Sequence, residues 1–352
     1  MEKLSEVLLE KIIKEERNEE MARLDAVSIV NSLFSELLER ERDILSRRFG
    51  LKGGKSETLE KIGNLHNLTR ERVRQIESAS IKKIKKLDDL EKYIALLKET
   101  INNLLEEHGG LLRKDFLLDI LTVIALEINN KLEPGTKDYE DVRASYKNNF
   151  NFLITKLMSD DLDQGNIITG FNPSIKIKER ELNFFEEIAK DLMKKVESMK
   201  KTLKTDELIE TVKELDAYAK YQEVLSKVKD TGADITRIFK SKIFPDKAEI
   251  MNSNKMLYSL IQAVKNLEQN KFGEWGLANS GEIKPKTVND KIYLILKHNG
   301  KPLHFIEIAD KINEVAFDKK KANAATVHNE LILDDRYCLT SRGTYGLKEW
   351  QK

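Results

Sequence analysis

Apolar residues recur at helical spacing along most of the chain. Leu4, Val7, Leu8, Ile12 and Ile13 predict a helix over residues 1–35. Leu37, Ile44, Leu45 and Phe49 form the stripe of a second helix, which Gly50 is suited to stop. The polar run from Lys52 to Glu57 predicts a loop. Thr58–Gly63 reads as a short helix with Leu59 and Ile62 facing inward, and Asn64–Leu68 as a tight turn. Thr69 is a good N-cap for a helix running to about Lys86, with Val73, Ile76 and Ile84 on its buried side. A short helix, a tight turn and a basic helix spell helix-turn-helix.

Beyond residue 90 a long-period pattern repeats three times. A small or polar lead-in introduces an amphipathic helix at Gly109–Leu121, Lys201–Leu215 and Gly300–Ile312. A second helix follows each, at Asn151–Met158, Met256–Leu267 and Ala325–Leu333. Each repeat closes on a β-like run, at Asn166–Lys176, Phe272–Asn279 and Tyr337–Trp350. Two helices and a hairpin are the plan of a winged helix. The expected fold class is mainly α, a helix-turn-helix domain followed by tandem winged-helix-like units with small β-wings. The expected organisation is an N-terminal helix (1–23), the helix-turn-helix (24–90), a winged unit (91–178), a connecting helix (179–200), a second winged unit (201–283) and a third (284–352).

Composition agrees with several small cores. The chain has 352 residues, 40% hydrophobic and 34% charged, and roughly 100–200 residues per domain suggests two to four domains. Cys338 is the single cysteine, so neither an internal disulfide nor a cysteine-built zinc site is available. The first residues carry a charge every few positions, unlike a signal peptide or spanning helix. A reduced, cytoplasmic chain is expected. Net charge is only +1, but it is segregated. Thr69–Lys86 carries +5 and Lys284–Lys352 carries +4, which leaves −8 for the rest. Two basic places on an acidic body suit a nucleic-acid partner.

The chemistry concentrates on one helix face. Arg70, Glu71, Arg74 and Gln75 lie at i, i+1, i+4 and i+5, in the first two turns, the part a recognition helix pushes into the major groove. Arginine can hold guanine O6 and N7, glutamine adenine N6 and N7, and glutamate can accept from cytosine N4. Arg70 and Arg74 stand one turn apart as like charges, which costs stability and weakens a purely structural reason for them.

The stretch LLERERDILSRRFGLKGGKSETLEKIGNLHNLTRERVRQIESASIKKIKK (37–86) carries Glu39–Leu45, the run RFGL at 48–51, Thr58-Leu59-Glu60, Ile62-Gly63 and TRERVRQIE at 69–77. In these pieces residues 24–86 resemble region 4 of housekeeping sigma factors. That resemblance covers about 60 of 352 residues and implies a TTGACA-like −35 promoter element as target. It also implies backbone contacts at Arg48, Thr58 and Leu59, with Thr69 and Arg72 grouped beside them. The apolar surface around Leu37–Leu51 corresponds to the part that grips the β-subunit flap of RNA polymerase. Three positions depart from the family pattern. Leu38 replaces a Thr or Ser cap, Ala79 replaces a basic phosphate contact, and Asn67 replaces the turn glycine. Sigma factors melt promoters with an aromatic-rich helical domain far upstream. Only 23 residues precede the resemblance here, so this chain is not expected to open DNA alone.

A second resemblance lies at the C-terminus. GKPLHF (300–305), Ile308-Ala309, TVHNEL (326–331) and RGTYGL (342–347) look like a HARE-type winged helix, a domain also found in the delta subunit of bacterial RNA polymerase. It implies nucleic-acid or polymerase binding, with Lys319, Lys320, Lys321 and Arg342 as candidate contacts and Tyr345 and Trp350 packing the wing. Catalysis finds little support. The five histidines fall in separate segments without metal spacing, and Gly53-Gly54-Lys55-Ser56 lacks the glycine and leading strand of a phosphate loop. No enzyme activity, metal, cofactor, membrane or small-molecule substrate is expected. The expected partners are double-stranded promoter DNA and RNA polymerase core. The alternative is a delta-like accessory protein that occupies polymerase without reading DNA.

Overall fold

The computed structural model describes residues 24–129, 137–226 and 248–351. The expected helix over 1–23 lies outside them. In chain order the helices and strands begin with α1 (Ala26–Phe34), α2 (Glu39–Phe49), α3 (Leu59–His66), α4 (Arg70–Lys85) and α5 (Leu90–Glu107). Next come β1 (Leu111–Arg113), α6 (Lys114–Ile128), α7 (Lys137–Phe152) with a π-helical extension (Leu153–Leu157), β2 (Leu162–Gly165) and β3 (Ser174–Ile177). Then follow α8 (Asn183–Met199), α9 (Thr205–Lys213), α10 (Asp216–Leu225), α11 (Ala248–Ser253), α12 (Lys255–Ala263), β4 (Leu267–Gln269) and β5 (Trp275–Leu277). The chain closes with α13 (Val288–Asn299), β6 (Leu303–His304), α14 (Phe305–Val315), α15 (Ala324–Leu333), β7 (Tyr337–Ser341) and β8 (Thr344–Leu347). The protein is mainly helical with small antiparallel sheets, the class its patterning predicts.

The described residues form two compact units, 24–186 with 221–263 in the first and 187–220 with 264–351 in the second, the residues outside the described ranges excepted. In the first, β1, β3 and β2 make a sheet in that order, and Leu112 faces Ile175 across it. The strand between two helices thus lies on the second strand of the hairpin. The same order recurs in the second unit, where β6 lies on β8 of the β7–β8 hairpin. It recurs in miniature where Leu203, between α8 and α9, pairs with Trp275 of the β4–β5 hairpin.

The second helix of the first repeat begins at Lys137, well before the expected Asn151. The charged stretch from Lys137 hides Tyr139, Tyr146 and Phe150 on its buried side. Further along, every residue of α12 from Leu257 to Ala263 is buried. A helix apolar on nearly all sides needs partners all round. Phe116 of α6 packs against Tyr258 at 5.6 Å, and Lys255 pairs with the buried Glu107 at 3.0 Å. His108, also fully buried, donates from Nδ1 to the Lys255 carbonyl at 3.1 Å, with Ser259 Oγ 2.6 Å away.

In the second unit Ile292, Ile295, Leu296, Ile308, Ile312, Val327, Leu331, Tyr337, Tyr345 and Leu347 form one core. Thr287 caps α13 and accepts from the Asp290 N–H, while Gly300 ends the helix in the left-handed conformation. The wing closes on Tyr337, whose hydroxyl donates to Asn289 Oδ1 at 2.6 Å.

Candidate nucleic-acid interface

The geometry of α3 and α4 is set by three local devices. Thr58 caps α3 by accepting from the Lys61 N–H, and Thr69 caps α4 by accepting from the Arg72 N–H, both at 3.2 Å. Between the helices Asn67 adopts φ 53° and ψ 47° and donates its N–H to the Gly63 carbonyl. Asparagine is one of the few side chains that tolerate that conformation. Gly63 is required by space, because a Cβ there would lie 2.6 Å from the Leu68 carbonyl oxygen. Ile44, Ile62 and Val73 are buried at the junction, with Leu59, Leu68 and Ile76 packed around them. The turn and this small core together fix α4.

On α4, Val73, Ser80 and Ile84 are buried, whereas Arg70, Glu71, Arg72, Arg74 and Gln75 are exposed. All four expected base readers therefore face solvent. Two of them are paired with each other, and a third with Arg72. Arg74 donates from Nε and Nη2 to the two Glu71 oxygens at 2.9 and 2.7 Å, and Arg72 Nη1 donates to Gln75 Oε1 at 3.2 Å. The hydrogen bond from Arg74 holds the Glu71 carboxyl below the usual carboxylate range. This i,i+3 pair supplies Arg74 with an opposite charge, which reading the sequence at i,i+4 alone overlooked. A guanidinium has five donors. Glu71 occupies the Nε edge, so the outward Nη1–Nη2 edge remains free to meet a guanine two-pronged.

The expected backbone contacts divide. Thr58 and Thr69 are exposed, and each hydroxyl oxygen already accepts a helix N–H. Each hydroxyl hydrogen is left to donate to phosphate. Leu59 packs its side chain on the core and offers its main-chain N–H in the first turn of α3, where N–H groups lack intrahelical acceptors. Arg72 is exposed. Arg48 is instead half-buried and turned inward, donating from Nη1 to the Glu57 carbonyl at 3.0 Å and from Nε to Glu77 at 3.3 Å. There it braces the loop before α3 against α4. Nearby, Asp43 receives Arg47 at 2.8 Å and His66 at 2.9 Å. Burial alone would raise the Asp43 carboxyl, but those hydrogen bonds hold it below its usual range. Leu38 makes no side-chain cap, and the Glu41 carboxylate satisfies its N–H instead at 2.8 Å.

Sequence reasoning missed what covers the other side of this module. Phe152 of α7 packs edge-on against Phe34 at 5.7 Å and tilts against Phe49 at 5.0 Å. Ser145 Oγ and Asn149 Nδ2 donate to the Leu51 carbonyl at 2.7 and 2.8 Å, and Asn148 Nδ2 donates to the Gly50 carbonyl at 2.8 Å. Leu37 and Leu51 are buried. Much of the apolar surface that the resemblance assigns to a polymerase subunit is therefore covered by this chain's own helix. The available signal was the spacing of Ser145, Asn148, Asn149 and Phe152, which share one helix face.

In the second unit Lys319, Lys320, Lys321 and Arg342 are exposed. Tyr345 is buried and Trp350 packs against the same core. Among the described residues no group of His, Cys, Asp or Glu is arranged to hold a metal ion, and no helix is long and apolar enough to cross a membrane.

An exposed charged helix, held by a tight turn on a three-helix core, defines a helix-turn-helix module. Residues 33–86 match the family described as Sigma-70, region 4. The chain is 48% identical over 56 residues to RNA polymerase sigma factor SigA1 of Synechococcus elongatus, covering 16% of this chain and 14% of the relative. It is 48% identical over 64 residues to RNA polymerase sigma factor RpoD of Helicobacter pylori, covering 18% of this chain and 10% of the relative. It is 39% identical over 72 residues to RNA polymerase sigma factor SigA of Synechocystis, covering 20% and 16%. The chain thus spans less than a fifth of the length of these relatives. No solved structure matches.

Proposed function

We propose that this protein is a non-catalytic, sigma-related transcription factor of the cytoplasm that reads a −35-like promoter element in double-stranded DNA through α4. The observation that carries the reading is the exposure of Arg70, Glu71, Arg74 and Gln75 together on the leading turns of a helix braced by α3. Arg74, steadied by Glu71, is the guanine reader. Gln75 and Glu71 serve adenine and cytosine edges. Thr58, Leu59, Thr69 and Arg72 set register on the phosphates, and Arg48 supports the loop that carries Thr58. Contacts from Lys319, Lys320, Lys321 and Arg342 on the HARE-like third winged unit extend the electrostatic footprint.

RNA polymerase core is the second proposed partner. With α7 seated over Phe49 and Leu51, the β flap would bind either by displacing α7 or through what remains exposed, such as Leu38 and Leu65. An accessory role on polymerase without base reading would leave the Glu71–Arg74 pair without a task.

The test compares full-length protein and Arg74→Ala on duplexes with and without the hexamer. Removing a two-pronged guanine contact should cost about 1–3 kcal/mol on the hexamer duplex and much less on the other. An equal loss on both would reduce Arg74 to a general phosphate contact.

A further inference from the structure

The third helix of a winged unit is the one that normally enters a DNA groove, and α15 holds that place in the C-terminal repeat. Its exposed face is unlike that of α4. Val327 and Leu331 point into the core, and the opposite side presents Ala325, Thr326, Asn329, Ile332 and Leu333. Not one of these is charged, in a chain that is 34% charged. Ile332 and Leu333 are 61% and 81% exposed. Groove readers need cationic and amide side chains near phosphates and base edges, and this face offers one asparagine. It suits a protein partner better than DNA.

The charges sit at the two ends of the helix and differ in sign. Lys319, Lys320 and Lys321 precede the Asn323 cap, exposed and without an ion pair among the described residues. Glu330 and Asp335 flank the other end. Their neighbours are already neutralised, Asp318 by Lys291 at 2.8 Å and Asp334 by Arg336 at 2.8 Å. The apolar pair lies in the last turn beside these acids, so the face is cationic at one end and apolar and acidic at the other, and its charges are complementary to themselves when it is turned end for end. Two-fold pairing brings each lysine cluster to the partner copy's acids and lays each Ile332–Leu333 pair against the exposed Ala325–Thr326 end of the other helix. Antiparallel helix dipoles align favourably in the same arrangement.

We propose that a second copy of this chain docks on α15, antiparallel about a two-fold axis. A ten-residue helix is only about 15 Å long, and stable interfaces bury at least ~1,200 Å². The pair is therefore weak in free solution, and holding two copies on one DNA molecule strengthens it by raising their local concentration. The inference does not depend on which sequence α4 reads, or on whether it reads one.

Analytical ultracentrifugation of the full chain without DNA tests it. A concentration-dependent monomer–dimer equilibrium is expected, and Leu333→Glu should weaken it more than tenfold. The decisive arm uses two charge variants. One carries Lys319→Glu, Lys320→Glu and Lys321→Glu, and the other carries Glu330→Lys and Asp335→Lys. Each alone should stay monomeric, and an equimolar mixture should associate as well as the unaltered protein. Circular dichroism confirms that the variants fold, since every altered side chain lies outside the core. A chain that stays monomeric at every concentration would overturn the proposal. So would a dimer indifferent to Leu333→Glu, or a mixture that fails to associate.

Discussion

Arg74 shows how much of an exposed helix face is decided by a single neighbour. Alone it would sweep many rotamers, but Glu71 holds it through two hydrogen bonds and leaves one edge free. Glu71→Ala should therefore reduce preference for the hexamer even where no base meets Glu71, by less than Arg74→Ala does. Competition between matched and mismatched duplexes measures the ratio, and unchanged discrimination would show that Arg74 needs no support. His108 is a second residue whose environment makes a prediction. Burial pushes its imidazole from 6.5 down to about 4. The folded pKa lies below the unfolded one, so the stability gained from the neutral ring is complete above about pH 6.5. It is lost as pH falls toward 4, a change of roughly 3 kcal/mol. Urea titrations at pH 7 and pH 4.5 should show the drop, and His108→Gln should flatten it. At this scale the sequence made the shared, exposed face of Arg70, Glu71, Arg74 and Gln75 legible, because their order along one helix sets it. The inward turn of Arg48 was not legible, because it depends on Glu57 and Glu77 being brought beside it by the fold.

At the scale of elements, α3 and α4 were readable from local signals, namely two threonine caps, a glycine at the end of α2 and an asparagine in the left-handed conformation, but α3 runs on to His66 through residues expected to turn, so the turn starts only at Asn67. Gly63→Ala should strain that turn, because the new methyl would meet the Leu68 carbonyl at 2.6 Å. A loss of about 1–3 kcal/mol in stability is expected, with weaker binding to every duplex because α4 is no longer held in place. Thermal melting beside a binding titration checks both halves, and a variant as stable as the parent would contradict the close approach. The start of α7 was not readable. Its first turns look like a solvated insert, and their aromatic side chains find partners only across long sequence separations. Phe152→Ala removes a buried ring wedged between Phe34 and Phe49, which should cost about 3–5 kcal/mol. A denaturant midpoint close to that of the parent would mean that α7 does not brace the module.

At the scale of the whole chain, one strand order is used three times, with β3 and β8 central in their sheets and Leu203 standing in for a full strand. The repeat was visible as a pattern of helices and β-like runs, while which helices would be buried was not. α12 is enclosed and α7 packs on the helix-turn-helix module, whereas α4 and parts of the third repeat are exposed. The proposed sequence-selective binding rests on α4. Titrating the full-length protein against two duplexes that differ only in a TTGACA-like hexamer, across a range of salt concentrations, tests this most directly. Tighter binding to the hexamer duplex is expected at every salt concentration, with parallel salt slopes for the two, since base contacts add to a shared phosphate contribution. Equal affinity for the two duplexes throughout would contradict it.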